Sequence, residues 1–473
     1  MQESYPIYIN GEAVWTRDCL PVVDKYSGEV FATVCVSSAA EVDAAVAAAA
    51  QAFRRRPLAS YQRYQILTKA AGLIEEKADQ LALTVSREAG KVFRDARTEV
   101  MRAAQVFRSA AEEAKRITGE VIPVEATPGA ENRLAYTLRV PVGVVCAISP
   151  FNFPFNLATH KIAPALAAGN TVVLKPASAT PISAVNLCRI LEEAGLPAGY
   201  LNLVIGSGNE IGELLLQDKR INFYTFTGSP KVGQKIISTI GLRKATMELG
   251  SNSVTIVHQD ADLAQATSLC SRMPFVNAGQ ICISIQRLLI HQDIYEQFAQ
   301  MLAEKTRELI LGNPLDPATD IGPMISEAEA IRAEAWVNSA LQGGAKLMCG
   351  GKRNGALFEP TILTNVKPDM QVVCEEVFAP VVSLIPYQDF DEAIEIANNS
   401  KYGLQAGVFT SSIAIASEAV RRLEVGGVII NDTSVYRADL APYGGMKESG
   451  LGREGPKYVI QEMTEPKLVV YNL

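Results

Sequence analysis

VGVVCAISPFNFPFN, residues 142–156, opens with a short, wholly apolar and β-branched run that stops at Ser149-Pro150. A run of that kind, too short for a helix and bounded by turn residues, reads as a strand buried on both faces. NTVVLKP (170–176), YLNLVIG (200–206) and INFYTFTG (221–228) repeat the pattern. Helical stretches of roughly 12–15 residues lie between them, which is the rhythm of parallel βαβ units. The spacing upstream predicts helices over 40–53, 62–89 and 94–117. A second alternating region begins near Ser251, with VTIV (254–257), QRLLIH (286–291), a helix over 295–310, PVVSLIPY (380–387) and GGVIIND (426–432). NRLAYTLRVP (132–141) and KLVVYNL (467–473) read as strands outside both regions. The expected α/β organisation is a Rossmann-type cofactor domain (1–122 and 143–250), a second α/β domain (251–440) and a small β arm (123–142 and 456–473). The arm is expected to pair with another subunit. Such an architecture does not by itself give a function.

Composition narrows the classes. The chain has 473 residues, 48% of them hydrophobic and 20% charged, as in an ordinary globular protein of two or three domains. A net charge of -7 speaks against nucleic acid or an acidic membrane surface as the main partner. No apolar run reaches the ~18 residues of a spanning helix, and the first residues lack a signal-peptide pattern. The eight cysteines (19, 35, 146, 188, 270, 282, 349, 374) form no CxxC, and only His160, His258 and His291 could join them. A metal site or disulfide framework is therefore not expected, and a reducing cytoplasm is. Arg54, Arg55 and Arg56 read as a solvated helix end.

Several strand ends carry residues suited to chemistry. GSGNEIG (206–212) follows a strand but has its third glycine one position late for a pyrophosphate fingerprint. Gly228 and Ser229 in FTGSPKVG stand between a strand and a helix, a place that suits a phosphate as well as an ordinary capped turn. Lys175 in LKPAS ends a strand, where open α/β sheets bind ligands. Asn152 has an amide able to donate to an oxyanion or to a turn backbone. Glu248, between Met247 and Leu249, is either a carboxylate of raised pKa able to act as a base or a solvated strand end. Cys282, in FVNAGQICIS, is either one more small hydrophobe or a nucleophile.

Taken in order, SPFNFP, KPAS, FTGS, MELGSNS, GQICIS, EEVFAP (375–380) and PYGGMKESGLGREG (442–455) resemble the successive signatures of the aldehyde dehydrogenase superfamily. The resemblance runs from about Pro6 to the C-terminus. It implies the fold of that family, with Cys282 as nucleophile, Asn152 as oxyanion donor and Glu248 as the base that activates water. It also implies NAD or NADP as cofactor: Lys175 on the adenine ribose, Gly228 and Ser229 at the pyrophosphate, Glu376 on the nicotinamide ribose and Phe378 beside the nicotinamide. Many NAD-preferring members carry a glutamate where this chain has Ser178. A carboxylate there would repel a 2′-phosphate, whereas Ser178 can hydrogen-bond it, which implies acceptance of NADP. The positions expected along the substrate tunnel are Phe107, Arg108, Phe153, Leu157, His160, Ile281, Ile283, Arg437 and Tyr443. His160, Arg108 and Arg437 there favour a small polar aldehyde, anionic ones included; lactaldehyde, glycolaldehyde and semialdehydes fit. The competing readings are a CoA-acylating enzyme and a non-catalytic protein of the same fold. The resemblance further implies a homodimer or homotetramer.

Overall fold

The computed structural model describes residues 3–55 and 57–473, so Arg56 lies outside the described residues. Two large sheets organise the chain. The first is eight-stranded. Its centre runs Lys244–Glu248, Ile221–Thr227, Val144–Ile148, Thr171–Lys175 and Leu201–Leu203, all parallel. Gly450–Leu451 closes one edge and Ile7–Ile9 with Glu12–Val14 the other, each antiparallel to its neighbour. The central strands are apolar on both faces because helices cover both, as the continuous runs in the sequence require.

Four helices precede the central strands: α1 (Ala39–Arg54), α2 (Ser60–Glu76), α3 (Ala78–Ala89) and α4 (Phe93–Ala114). The helix expected over 62–89 is thus two helices, separated at Lys77, where φ is -97° and ψ 14°. The bend lets both apolar stripes reach one core. Leu67, Ala70 and Ile74 of α2 and Leu81, Ala82 and Val85 of α3 are buried in the same cluster as Ala96, Val100 and Ala103 of α4. Nothing between Glu75 and Asp79 is a glycine or proline, so propensity alone gives no break there.

The second sheet is seven-stranded, in the order Lys346–Cys349, Thr361–Thr364, Val381–Tyr387, Arg287–His291, Val254–Val257, Gln405–Phe409, Gly427–Ile430. Only its first strand is antiparallel. Apart from both sheets, Arg133–Pro141 pairs along its whole length with Thr464–Asn472, and Val121–Ile122 adds a third strand. This ribbon leaves Val121, Leu134, Leu138, Leu468, Val470 and Tyr471 exposed. No helix among the described residues is long and apolar enough to cross a membrane.

Candidate active site

The parallel strands of the first sheet deliver their C-terminal ends to one place. Val144–Ile148 leads into the loop of Asn152, Thr171–Lys175 ends on Lys175, Ile221–Thr227 leads to Gly228 and Ser229, and Lys244–Glu248 ends on Glu248. Ligands bind open α/β sheets at that edge. Facing it, the loop 276–284 of the second sheet carries Cys282. That loop turns sharply, with φ of 54°, 53° and 69° at Asn277, Ala278 and Gly279. A side chain on Gly279 would run into the backbone of Ala379. The two loops are tied reciprocally: Asn152 Nδ2 donates to the Gln280 carbonyl at 2.9 Å, and Asn277 Nδ2 donates to the Asn152 carbonyl at 3.1 Å. Gln280 in turn accepts from the Ile325 N–H at 2.9 Å. Gln280 Nε2 also donates to the Asn277 carbonyl at 3.0 Å, so the turn that leads to Cys282 is braced on both sides.

Between the loops lies a cavity of about 160 Å³, walled by Phe153, Leu157, Val276, Ile281, Cys282, Ile283, Val435, Arg437, Tyr443 and a stripe of α4. That is below the roughly 300–1,000 Å³ of pockets for drug-sized ligands. Cys282 Sγ sits 3.0 Å from Tyr443 Oη, and burial pushes the thiol up to about 11. Both oxygens of Glu248 are buried without a partner. Burial first, and then the charge of Glu454, hold the Glu248 carboxyl well above the usual range. The Oδ1 of Asn152 is likewise unpartnered. Unpaired polar atoms in a buried site are costly, so these mark a place where a ligand or water is expected.

Behind the other wall the carboxylates are matched by cations. Glu454 accepts from Lys161 Nζ at 3.1 Å and from Arg437 at 2.8 Å, and those two charges hold its carboxyl down to about 2 against the cost of burial. Arg437 stacks over the Tyr443 ring, 3.8 Å from its centroid. Asp439 takes both arms of Arg102 at 2.8 Å and His160 Nε2 at 2.9 Å. Burial and the Arg437 charge lower the His160 pKa, so the imidazole is neutral near pH 7. Two nitrogens are left over: Arg437 Nε and His160 Nδ1 are buried and make no hydrogen bond among the described residues.

Six of the nine expected tunnel positions line the cavity, namely Phe153, Leu157, Ile281, Ile283, Arg437 and Tyr443, together with Cys282. Three do not. Arg108 is exposed on α4 and clasps Glu75 of α2, its Nε 3.0 Å from the carboxylate. Phe107 is fully buried in the helical core, and His160 sits behind Arg437 rather than on the cavity surface. The arginine that does reach the cavity from α4 is Arg102. Asp95, Thr98, Glu99 and Arg102 all line it, at the i, i+3, i+4, i+7 spacing of one helix face. That polar stripe was present in the sequence; Arg108 lies six residues further on, about 240° round the helix.

The remaining candidates cluster at the sheet edge. Lys175 Nζ is buried, bonds only to the Pro176 carbonyl at 3.2 Å, and is lowered to about 8 by desolvation. Glu376 accepts from the Ser251 N–H at 2.9 Å, and burial raises it to about 7. A side chain on Gly250 would run into the Glu376 carboxylate. Phe378 has φ 49° and meets Phe151 edge-on at 5.8 Å. Ser229 precedes the helix Pro230–Ile240 without using its hydroxyl as a cap. Ser178 Oγ donates to the Gly206 carbonyl at 2.9 Å, so its proton is already committed. GSGNEIG forms a single wide turn at 208–212 before the short helix Glu213–Gln217.

Comparison with known proteins agrees with this geometry. Residues 14–469 match the model of the aldehyde dehydrogenase family. The chain is 52% identical over 471 residues to a 3-sulfolactaldehyde dehydrogenase of Priestia aryabhattai, covering 100% of this chain and 98% of the relative. Its structure superposes with a TM-score of 0.97, at 38% identity, on aldehyde dehydrogenase 21 of Physcomitrella patens in complex with the reaction product succinate, covering 100% and 99% of the two chains. It also superposes, with a TM-score of 0.92 at 40% identity over 97% and 100% of the chains, on the glyceraldehyde-3-phosphate dehydrogenase GapN of Methanocaldococcus jannaschii complexed with NADP. With the family model, the identities and the superposed sheets in agreement over nearly the whole length, the chain belongs to the aldehyde dehydrogenase family.

Proposed function

We propose that this enzyme oxidises a small polar aldehyde with an anionic tail to its carboxylic acid, with NAD or NADP as hydride acceptor. One observation carries the reading. Cys282 and Arg437, a buried cation whose Nε makes no hydrogen bond among the described residues, line one cavity of about 160 Å³. A cavity of that size suits a short chain better than a long or aromatic one. Sulfonate, carboxylate and phosphate groups in the compounds named for the relatives fit the same side.

The cofactor residues fit a dinucleotide. Lys175 has two donors to spare for ribose hydroxyls, and Glu376 has an oxygen free for the nicotinamide ribose. The uncapped start of the helix after Ser229 suits a pyrophosphate. Phe378, braced by Phe151, flanks the nicotinamide. When bound, the oxidised nicotinamide accepts hydride and brings a positive charge near the thiol.

The chain's own groups do the rest. The Cys282 thiolate adds to the aldehyde carbon, and the negative charge moves to the carbonyl oxygen. Asn152 Nδ2 and the Cys282 backbone N–H receive that charge, an interaction worth about 2.7–4 kcal/mol per donor in comparable sites. Loss of hydride leaves a thioester on Cys282. Glu248 takes a proton from water, and the resulting hydroxide equivalent displaces the sulfur to give the acid. A carboxyl held above its usual range suits a base that takes up and releases a proton near neutral pH.

Ser178 favours NADP by being uncharged rather than by donating, since its hydroxyl proton is used by Gly206. The two large sheets are proposed as cofactor and catalytic domains, and the exposed apolar ribbon as the seat of a homodimer or homotetramer. Eight free cysteines suit the cytoplasm. The test is kcat/KM for short aldehydes bearing sulfonate, carboxylate, phosphate or only hydroxyl groups, with each cofactor and with Cys282→Ala as control. Preference for a short anionic aldehyde is the expected result, and preference for long unbranched aldehydes would overturn it. Ser178→Glu is expected to shift the NADP/NAD ratio about tenfold toward NAD.

A further inference from the structure

We propose that Tyr443 is a catalytic residue whose phenol O–H donates to the Cys282 sulfur and favours the thiolate. Arg437, stacked on its ring, is the positioning residue that keeps the hydroxyl aimed.

The geometry is specific. Tyr443 Oη lies 3.0 Å from Cys282 Sγ, and this is its sole hydrogen-bond partner among the described residues. A thiolate can only accept, so once Cys282 ionises the direction of the bond is fixed from oxygen to sulfur. The ring cannot swing away. Its backbone is bridged to Glu454, with Tyr443 N–H donating to the Glu454 carbonyl at 3.1 Å and Glu454 N–H donating to the Tyr443 carbonyl at 2.6 Å. The Glu454 side chain then holds Arg437 at 2.8 Å, and the guanidinium carbon rests 3.8 Å from the ring centroid. One residue, Glu454, thus locks both the phenol and the cation over it. A cation on the ring face withdraws electron density and makes the O–H a better donor.

The charged and titratable groups around the sulfur divide into two sets. Burial, Glu248 and Glu376 oppose its ionisation, while Tyr443 and Arg437 favour it. The Tyr443 phenol is itself faced by Cys282, Glu248 and Arg437. No other side chain among the described residues hydrogen-bonds the sulfur. A buried thiol opposed by two carboxyls needs such a donor if it is to react near neutral pH.

This inference rests on Cys282 being the nucleophile, and its test reads the thiol without turnover. The rate of Cys282 alkylation by iodoacetamide is measured against pH in the full-length enzyme, with Cys282→Ala subtracting reaction at the other cysteines. Tyr443→Phe removes one oxygen whose single partner is the sulfur. The expected result is a profile displaced about one pH unit upward, so about tenfold slower alkylation at neutral pH with the same limiting rate at alkaline pH. Arg437→Lys, which keeps the charge but not the flat stacking, is expected to give a smaller displacement in the same direction. If Tyr443→Phe does not fold, a ring-fluorinated tyrosine at 443, more acidic and nearly the same shape, is expected to displace the profile downward. An unchanged profile, or slowing by one factor at every pH, would overturn the proposal. Normal alkylation of Cys282 without aldehyde turnover would instead defeat the proposed function.

Discussion

Glu248 and Glu454 are both buried at this site, yet they stand in opposite states. Glu454 is gripped by Lys161 and Arg437 and stays ionised to low pH. Glu248 has no hydrogen-bond partner on either oxygen among the described residues, and burial holds its carboxyl well above the usual range. Burial penalises charge equally at the two positions, and only the partners differ. The matched end of the site is scaffold, built to be rigid. The unmatched end, with Cys282, Asn152 and Glu248, is left for substrate, water and cofactor to complete.

The comparison predicts unequal responses to mutation. Glu454→Ala strands Lys161 and Arg437 as buried cations, and the expected loss is about 3–5 kcal/mol in denaturant unfolding, or failure to fold. A loss under about 1 kcal/mol would show that the network does not hold the loop. The next effect is a pH dependence. Glu376 has its pKa raised from 4.5 to about 7, so in the folded state it prefers the proton. Its stabilising contribution is full below about 4.5 and is lost as pH rises from there through about 7. Glu376→Gln is therefore expected to flatten the decline in stability over that window. Glu454, lowered from 4.5 to about 2, acts in the opposite sense: its contribution is present above about 4.5 and lost as pH falls toward about 2. Parallel curves for wild type and Glu376→Gln would contradict the assignment. The smallest effect is expected at Arg108. Its pair with Glu75 is exposed, so Arg108→Ala should cost about 0–1 kcal/mol and change kcat/KM less than twofold. A large rise in KM for an anionic aldehyde would return Arg108 to the site.

Much of this was legible in the chain because it is local. Val144–Ile148 is apolar throughout, Thr171–Lys175 has an apolar β-branched centre, and both are central parallel strands. Arg133–Pro141 is a strand at the expected place, and its partner tail extends three residues earlier than expected, to Thr464. The family motifs placed the cysteine, the asparagine and the glutamate. What the sequence left hidden is long-range. Arg102 and Asp439 are 337 positions apart, and no periodicity links them. Arg108 is an expected tunnel residue, although it occupies a different face of α4 from the cavity-lining Arg102. Ser178 shows its missing charge in the sequence, while the bond that consumes its proton goes to Gly206, 28 residues away.

The central claim is that Cys282 carries the acyl group and Glu248 removes it with water. Glu248→Gln keeps the size of a neutral, unpartnered side chain, so folding should be undisturbed. Mixed with a short aldehyde and NADP, this variant is expected to release one burst of NADPH and to hold the acyl group on the peptide containing Cys282, seen as a mass increase. Steady turnover should fall about 10²–10⁴-fold. Full turnover without an acylated Cys282 would contradict the account.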